Sequence, residues 1–290
     1  MSQLEDLTRR ALRYAAFTVD GRGGNPAGVV LDAVDLHDAD RLAVAAQLGY
    51  SETAFVEPRG QAGAYRVRYF SPKAEVTFCG HATIATAVAL AERDGPGRLE
   101  FSTLAGLIPV QTSAASGQIT ATLTSVPTRT RPAADGDLDA ALAALRWQRD
   151  DLDPRYPAHV AYAGNDHLII AVRERARLAD LEYDFAALAA LMAERGWTTL
   201  HLVWSENATT FHARDPFPPG GVVEDPATGA AAAAFGGYLR ALGLVDLPAR
   251  VTILQGADMG RPSRLLVDVV PADDRVHVTG AAAQIPPPVS

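Results

Sequence analysis

The side chains best suited to moving a proton include an acidic pair, Glu224 and Asp225, just before a run of small residues. No charged residue follows this pair until Arg240, and a helix without charge on any face is typical of a buried helix. The N–H groups at the start of such a helix bind anions well. Asp225 is therefore either a helix cap or a functional carboxylate, and this segment alone leaves both interpretations open.

A related segment in the first half reads Cys-Gly-His-Ala-Thr at residues 79–83 and also leads into an uncharged helix. An aromatic strand and a proline-containing loop precede both segments. Thr83 and Thr228 are 145 residues apart, which is half of the chain. This spacing indicates two similar domains rather than a solenoid. We expect each domain to wrap a curved sheet around one buried helix, with both helix N-termini facing a cleft between the domains.

A third acidic residue, Glu52, lies between a predicted helix and a predicted strand over residues 53–56. Most glutamates at such a turn are simply exposed, so position alone assigns no role to this one. Cys79 is more typical of a small buried residue than of a nucleophile.

The overall composition narrows the class of protein. The chain has 290 residues, 48% of them hydrophobic, which is enough for two domains with ordinary cores. A net charge of −8 argues against nucleic acid and anionic membranes as partners. No apolar run approaches the roughly 18 residues of a spanning helix. No secretory signal is visible at the N-terminus, so we expect a cytoplasmic protein.

Scarce residue types restrict the chemistry further. Cys79 is the only cysteine, which excludes an internal disulfide and any mechanism that needs two thiols from one chain. Lys73 is the only lysine, and it lies in a predicted loop, where a pyridoxal Schiff base is not expected. The seven histidines show no metal-binding spacing, and no phosphate-binding glycine loop is present. The sequence therefore predicts an enzyme without a metal or an organic cofactor.

Five segments resemble, in order, the PhzF-like family of phenazine biosynthesis isomerases. They cover nearly the whole chain: residues 24–30 (GNPAGVV), 51–56 (SETAFV), 79–83 (CGHAT), 224–229 (EDPATG), and 254–256 with 259–263 (LQG and MGRPS). The resemblance implies an α+β fold similar to diaminopimelate epimerase, with pseudo-symmetric domains over residues 1–128 and 129–290. It also implies that the last strand may pack back on the first domain, and that the protein is a homodimer.

The resemblance further implies a cofactor-independent proton shift on a small unsaturated or cyclic carboxylic acid. In the family's named reaction the substrate is a dihydro-hydroxyanthranilate. Glu52 would be the general acid/base, and His81 and Asp225 would orient the substrate or share in proton transfer. The substrate-binding groups implied by the family are Ser51, Asn25, Gly80, Gly229 and Ala230.

One departure from the family pattern concerns residue 230. The family commonly has serine after Thr-Gly, whereas this chain has Ala230. If the family's serine hydroxyl holds substrate, one hydrogen bond is missing at this position, at a net cost of about 0.5–1.5 kcal/mol, while the backbone N–H remains. This makes the identity of the substrate more open than the type of reaction.

Two other functions fit the same residues. An amino-acid epimerase or racemase could use Glu52 and Asp225 as its two bases, and deuterium exchange with inversion at Cα would identify it. A catalytically silent binder of small molecules could use the same fold. The joint presence of Glu52, His81 and Asp225 argues against the silent binder.

Overall fold

The structure is a computed structural model that describes residues 3–115 and 117–286. Met1 and Ser2, at the start of the segment in which no secretory signal is visible, lie outside the described residues. The helices within that range are α1 Gln3–Arg10, α2 Asp38–Leu48, α3 Gly80–Asp94, α4 Asp135–Leu145, α5 Arg175–Ala179, α6 Phe185–Arg195 and α7 Gly229–Ala241. None of these helices is long and apolar enough to cross a membrane.

The strands fall into two groups along the chain. The first group is β1 Leu12–Ala16, β2 Asn25–Val30, β3 Thr53–Pro58, β4 Ala64–Phe70, β5 Glu75–Val76, β6 Arg98–Thr103, β7 Gly106–Ala115 and β8 Gln118–Thr124. The second group is β9 Arg129–Pro132, β10 His159–Tyr162, β11 Asp166–Val172, β12 Trp197–Ser205, β13 Thr210–Pro216, β14 Glu224–Asp225, β15 Ala249–Gln255, β16 Ser263–Val269 and β17 His277–Gln284.

The chain divides into two compact units, Met1–Thr124 with Thr279–Ser290, and Ser125–Val278. In the first unit the sheet closes into a barrel in the order β1, β2, β3, β4, β6, β7, β8, β17 and back to β1. The last strand of the chain therefore pairs with the first strand of this unit.

Helix α3 is the core of the first unit. Its residues from His81 to Ala91 are all buried, and the helix packs against β1, β2, β3, β7 and β8. Most of these residues are alanine, threonine or valine, whose small side chains let the surrounding strands approach the helix closely. The prediction of an all-round buried helix is confirmed here.

The second unit is built in the same way around α7. Its sheet runs β9, β10, β11, β12, β13, β15, β16, and α7 packs against β9, β10, β11, β12 and β16. Ten residues of α7 are buried, seven of which are alanine or glycine. A Cβ atom added to Gly236 would lie 2.7 Å from Cγ1 of Val267, so the packing leaves no room for a side chain.

The strand pairings repeat between the units. The series β2–β3, β3–β4, β4–β6, β6–β7 is parallel, antiparallel, parallel, antiparallel, and so is the series β11–β12, β12–β13, β13–β15, β15–β16. The two-residue strand β5 pairs with β4 as β14 pairs with β13. The predicted internal duplication is therefore visible in the topology.

The repeat also corrects the predicted correspondence of Thr83 with Thr228. Helices α3 and α7 begin at Gly80 and Gly229, with Cys79 and Thr228 as their N-caps. The spacing at the helix start is thus 149 residues. Threonine at 83 is one turn inside its helix, whereas Thr228 precedes its own.

One local prediction was wrong. Residues 127–137 look like a linker in the sequence, yet they contain β9 and the start of α4. Helix α2 is capped by His37, whose N–H donates a hydrogen bond to the carboxylate of Asp40. The helix ends at Gly49, whose φ of 70° is the left-handed conformation that ends many helices.

Candidate active site

Glu52 is positioned by the end of α2 and the start of β3. Its backbone carbonyl accepts a hydrogen bond from the N–H of Gly28 at 3.1 Å, which fixes it to β2. Parallel pairing of Gly28 with Thr53 holds the same register. The Glu52 side chain is 15% exposed, so it is largely buried but still in contact with solvent. The first candidate base is therefore held on rigid backbone and remains accessible.

Cys79 and His81 lie at the first turn of α3 and contact this carboxylate. Oε2 of Glu52 is 3.5 Å from Sγ of Cys79 and 3.4 Å from Nε2 of His81. Sγ is 3.4 Å from Nδ1 and 3.7 Å from Nε2 of the same imidazole. The three ligand-type atoms lie within 4.8 Å of one another. The fold thus assembles a carboxylate, a thiol and an imidazole that sequence spacing did not connect.

The electrostatics of this cluster favour a neutral imidazole. Burial lowers the pKa of His81, and the nearby Glu52 only partly opposes that shift. The hydroxyl of Ser51 lies 3.3 Å from Nε2 of the same ring. A neutral ring offers one N–H donor and one acceptor, which suits it to orient a carboxylate or a substrate group.

Hydrogen bonds from Tyr69 and Thr83 fix the backbone at the start of α3. The hydroxyl of Thr83 donates to the carbonyl of Cys79 at 2.7 Å, and the Tyr69 hydroxyl lies 2.7 Å from the Thr83 oxygen. Burial raises the pKa of Tyr69, so its phenol stays protonated and donates to Thr83. These bonds fix the backbone that carries Cys79 and His81.

The remaining predicted residues of the first unit lie on the same elements. Asn25 begins β2 opposite Ala16 and is buried, and Gly80 is the first residue of α3. Backbone N–H groups at this end of a helix have no partner within the helix. Their role in holding a substrate carboxylate stays a prediction.

In the second unit, Asp225 is the centre of a different network. Its carboxylate accepts a hydrogen bond from the Thr228 hydroxyl at 2.6 Å. The amide of Gln255 donates to the Asp225 carbonyl at 2.8 Å and accepts from the Thr228 N–H at 3.1 Å. The helix cap is therefore Thr228, and Asp225 is bonded to that cap rather than being it.

Gln255 is a residue that sequence reasoning left without a role. It is 1% exposed and holds three backbone or side-chain groups of the segment that leads into α7. The segment Leu-Gln-Gly at 254–256 was already part of the family resemblance. A polar residue at the end of an otherwise apolar strand was the available signal.

Glu224, the other member of the acidic pair, is buried against Arg214. Its carboxylate is 3% exposed and accepts two hydrogen bonds from Arg214, at 3.0 Å from Nε and 2.5 Å from Nη2. Burial raises the pKa of Glu224, although Arg214 opposes the shift. Its role is to anchor β14 to β13.

Asp215 is a second buried carboxylate beside this segment. It lies in β13, is fully buried, and pairs in register with Asp225. Its Oδ1 accepts a hydrogen bond from Nδ1 of His201 at 2.7 Å. This buried pair lies against the ring of Phe235 in α7, and no spacing in the sequence links its two members.

Gly229 and Ala230 are the first two residues of α7, as the sequence predicted from the run of small residues. Gly229 is buried and Ala230 is half-buried. The backbone N–H groups at this helix start could bind an anion, whereas the methyl group of Ala230 offers no hydrogen bond.

The family model for phenazine biosynthesis-like proteins matches residues 14–286. The chain belongs to this family. The family resemblance drawn from the five segments is confirmed, and the match spans both compact units.

Named relatives in the family are isomerases. An uncharacterized isomerase of Deinococcus radiodurans is 35% identical over 96% of this chain and 92% of its own length. A trans-2,3-dihydro-3-hydroxyanthranilate isomerase of Pseudomonas chlororaphis is 30% identical over 89% of this chain and 90% of its own. The prediction of a PhzF-like isomerase is confirmed.

Solved structures confirm the fold class. A PhzF family protein of Bacillus anthracis superposes with a TM-score of 0.85, at 25% identity, over 95% of this chain and 96% of its own. A probable proline racemase of Agrobacterium radiobacter has a TM-score of 0.64 at 13% identity, over 97% and 92%, which shows a shared fold alone. The family member described here therefore has the predicted α+β epimerase-like fold.

Proposed function

We propose that this isomerase moves a proton on a small unsaturated or cyclic carboxylic acid, with Glu52 as the group that transfers it. A dihydro-hydroxyanthranilate is the substrate class suggested by the named relatives. The observation that carries the proposal is the largely buried Glu52 side chain, whose carboxylate lies 3.4 Å from Nε2 of His81 at the start of α3. The reaction needs no cofactor in this proposal, because a carboxylate can both accept and return the proton.

The proton transfer follows from ordinary acid–base chemistry. The Glu52 carboxylate removes a proton from a carbon next to the unsaturated system, and the electron pair moves into that system. The same carboxyl group then returns the proton at another carbon of the conjugated system. Placed acid–base groups of this kind accelerate reactions by about 10²–10⁴-fold. Neutral His81 lies beside this carboxylate, with Nε2 3.4 Å from Oε2, and helps to position the reacting groups.

The other predicted residues take binding roles in this proposal. Asp225 and the N–H groups of Gly80, Gly229 and Ala230 hold polar groups of the substrate, and Ser51 and Asn25 line the position of its ring. The support is the family motif together with the affinity of helix N-termini for anions. A cytoplasmic homodimer belongs to the same proposal, and light scattering on the purified protein tests the dimer.

Incubation with trans-2,3-dihydro-3-hydroxyanthranilate in D₂O tests the reaction. We expect double-bond migration with incorporation of deuterium, and a loss of about 10²–10⁴ in kcat for Glu52→Gln. Glu100→Gln, which changes a carboxylate on β6, is the matched control and should leave kcat unchanged. Near-normal turnover by Glu52→Gln would remove Glu52 from the mechanism.

The same experiment separates the alternatives. Exchange at Cα with inversion of an amino acid, and no double-bond migration, would identify an epimerase or racemase instead. Tight binding of aromatic carboxylates without exchange at any pH would identify a silent binder.

A further inference from the structure

The three side chains that meet beside the start of α3 can also act as metal ligands. Glu52, Cys79 and His81 supply an oxygen, a sulfur and a nitrogen, which are the donor types of zinc sites. The edges of the triangle they form are 3.5 Å for oxygen to sulfur, 3.7 Å for sulfur to Nε2, and 3.4 Å for Nε2 to oxygen.

The edge between Nε2 and Oε2 is long for a hydrogen bond. An N–H···O bond is ordinarily about 2.7–3.2 Å long, so 3.4 Å between these atoms is a loose contact. Around a tetrahedral zinc ion with ordinary bond lengths, oxygen, sulfur and nitrogen donors lie about 3.3–3.6 Å apart, so the three groups are already close enough to share an ion. Because Sγ lies closer to Nδ1, at 3.4 Å, than to Nε2, at 3.7 Å, the imidazole must turn about its Cβ–Cγ bond to direct Nε2 at that ion.

We propose that Glu52, Cys79 and His81 form a three-ligand site for Zn²⁺ or a similar borderline-soft divalent cation. Two of its ligands are buried and held by the first turn of α3, and the third, Glu52, is partly exposed and gives the ion access. The fourth position of the tetrahedron stays open, for water or for the hydroxyl of Ser51, which already lies 3.3 Å from Nε2.

The consequence for catalysis is reversible inhibition. A bound cation occupies the Glu52 lone pair that would otherwise accept the substrate proton. The binding of the ion stands on the geometry alone, whereas the inhibition rests on the proposed role of Glu52. Mg²⁺ and Ca²⁺ prefer sites made only of oxygen ligands and should neither bind nor inhibit here.

Direct binding tests the site without any substrate. The purified full chain, treated with chelator and reductant and then dialysed, is titrated with Zn²⁺ by calorimetry. One equivalent is expected, and Cys79→Ser, His81→Gln and Glu52→Gln should each weaken binding by tenfold or more. His212→Gln is the matched control, because His212 is a partly exposed histidine of the second unit that is hydrogen-bonded to Glu206 at 2.8 Å, and its loss should leave binding unchanged.

Cobalt(II) provides a readout that a merely structural role would not change. Co²⁺ bound here should give a thiolate-to-metal charge-transfer band in the near ultraviolet, together with intense tetrahedral d–d bands. Both should vanish in Cys79→Ser, whose circular dichroism shows whether the variant is folded. Unchanged Zn²⁺ affinity in folded Cys79→Ser, or absence of the charge-transfer band in the native chain, would overturn the proposal.

If Zn²⁺ binds at this site but turnover of a confirmed substrate is unaffected, the metal site stands and the assigned role of Glu52 falls. If Zn²⁺ does not bind while Glu52→Gln abolishes turnover, the proposed function stands and the metal site falls.

Discussion

The segments that lead into α3 and α7 share the same backbone arrangement but carry different polar side chains at the helix start. In each, an arginine on the preceding strand clamps a glutamate on a two-residue strand, Arg68 with Glu75 and Arg214 with Glu224. A helix of small buried residues follows after the same spacing. At the cap, however, the first unit has Cys79 where the second has Thr228. The duplication has preserved the scaffold and changed the reactive groups.

The two helix starts also differ in whether their polar groups are already bonded to each other. Asp225, Thr228 and Gln255 form short hydrogen bonds of 2.6–3.1 Å. Glu52 and His81 are only in loose contact at 3.4 Å. Loosely held groups are free to exchange a proton, whereas a closed network fixes geometry. This difference favours the first unit for chemistry and the second for holding.

The two arginine–glutamate pairs give the largest expected difference between the units, which is a difference in the free energy of unfolding. Glu224 is 3% exposed, while its counterpart Glu75 is 23% exposed. Arg214→Ala leaves the carboxylate of Glu224 buried without its partner, which costs about 3–5 kcal/mol. Arg68 also pairs with Asp38, but Asp38 is exposed and Glu75 is partly exposed, so water can solvate both carboxylates after Arg68→Ala. Arg214→Ala should therefore reduce the free energy of unfolding in urea far more than Arg68→Ala. Equal losses would mean that the clamps are equivalent, and Arg250→Ala controls for loss of a surface ion pair.

The next largest expected effect is on the pH dependence of stability, and it comes from His167, a buried histidine of the second unit. Burial lowers the pKa of His167 to about 3 from its ordinary value of 6.5. Between these two pKa values the unfolded chain binds a proton at His167 that the folded protein does not bind. The contribution of His167 to the free energy of unfolding is therefore complete above pH 6.5 and decreases as the pH falls. Between pH 7.5 and 5.5 this one group should remove about 1.4 kcal/mol from the free energy of unfolding.

Urea denaturation at both pH values checks this expectation. His167→Gln should abolish that part of the pH dependence, whereas His212→Gln, at the surface, should retain it. The same pH dependence in His167→Gln and the native chain would contradict a depressed pKa in the fold.

The smallest expected effect comes from Ala230, where the second helix start departs from its family. Ala230→Ser restores a hydroxyl beside the proposed anion-binding N–H groups. A new hydrogen bond to substrate is worth about 0.5–1.5 kcal/mol, so KM should fall about two- to tenfold with kcat little changed. Ala241→Ser, at the far end of the same helix, should leave KM unaltered. A change in kcat alone would place residue 230 nearer to the chemistry than to binding.

Much of the fold could be predicted, because the pattern of charged and apolar residues within each segment indicates which helices are buried. The uncharged runs after residues 80 and 229 predicted both central helices, since a helix without a polar face must be buried. Helix α1 was not predicted, and β9 was mistaken for a linker, because short polar segments owe their structure to tertiary packing rather than to composition.

The site could be predicted only in part. Glu52, His81 and Asp225 came from the family resemblance, whereas the contact of Cys79 with Glu52 spans 27 residues and depends on how β3 lies beside α3. The pair of His201 and Asp215 joins two neighbouring strands through their register. Such contacts cannot be predicted from residue type or spacing, because they depend on the register of the strands in the folded sheet.

The tight packing around α7 has a consequence for how this enzyme can change its substrate. Gly236 has no space for even a methyl group, and the alanines from 231 to 234 are almost completely buried. Any larger residue at these positions would push the sheet apart, so the buried face of the helix is closed to gradual variation. New specificities arise more readily at the first residues of the helix and in the segment that leads into it, where side chains can be exchanged without disturbing the sheet.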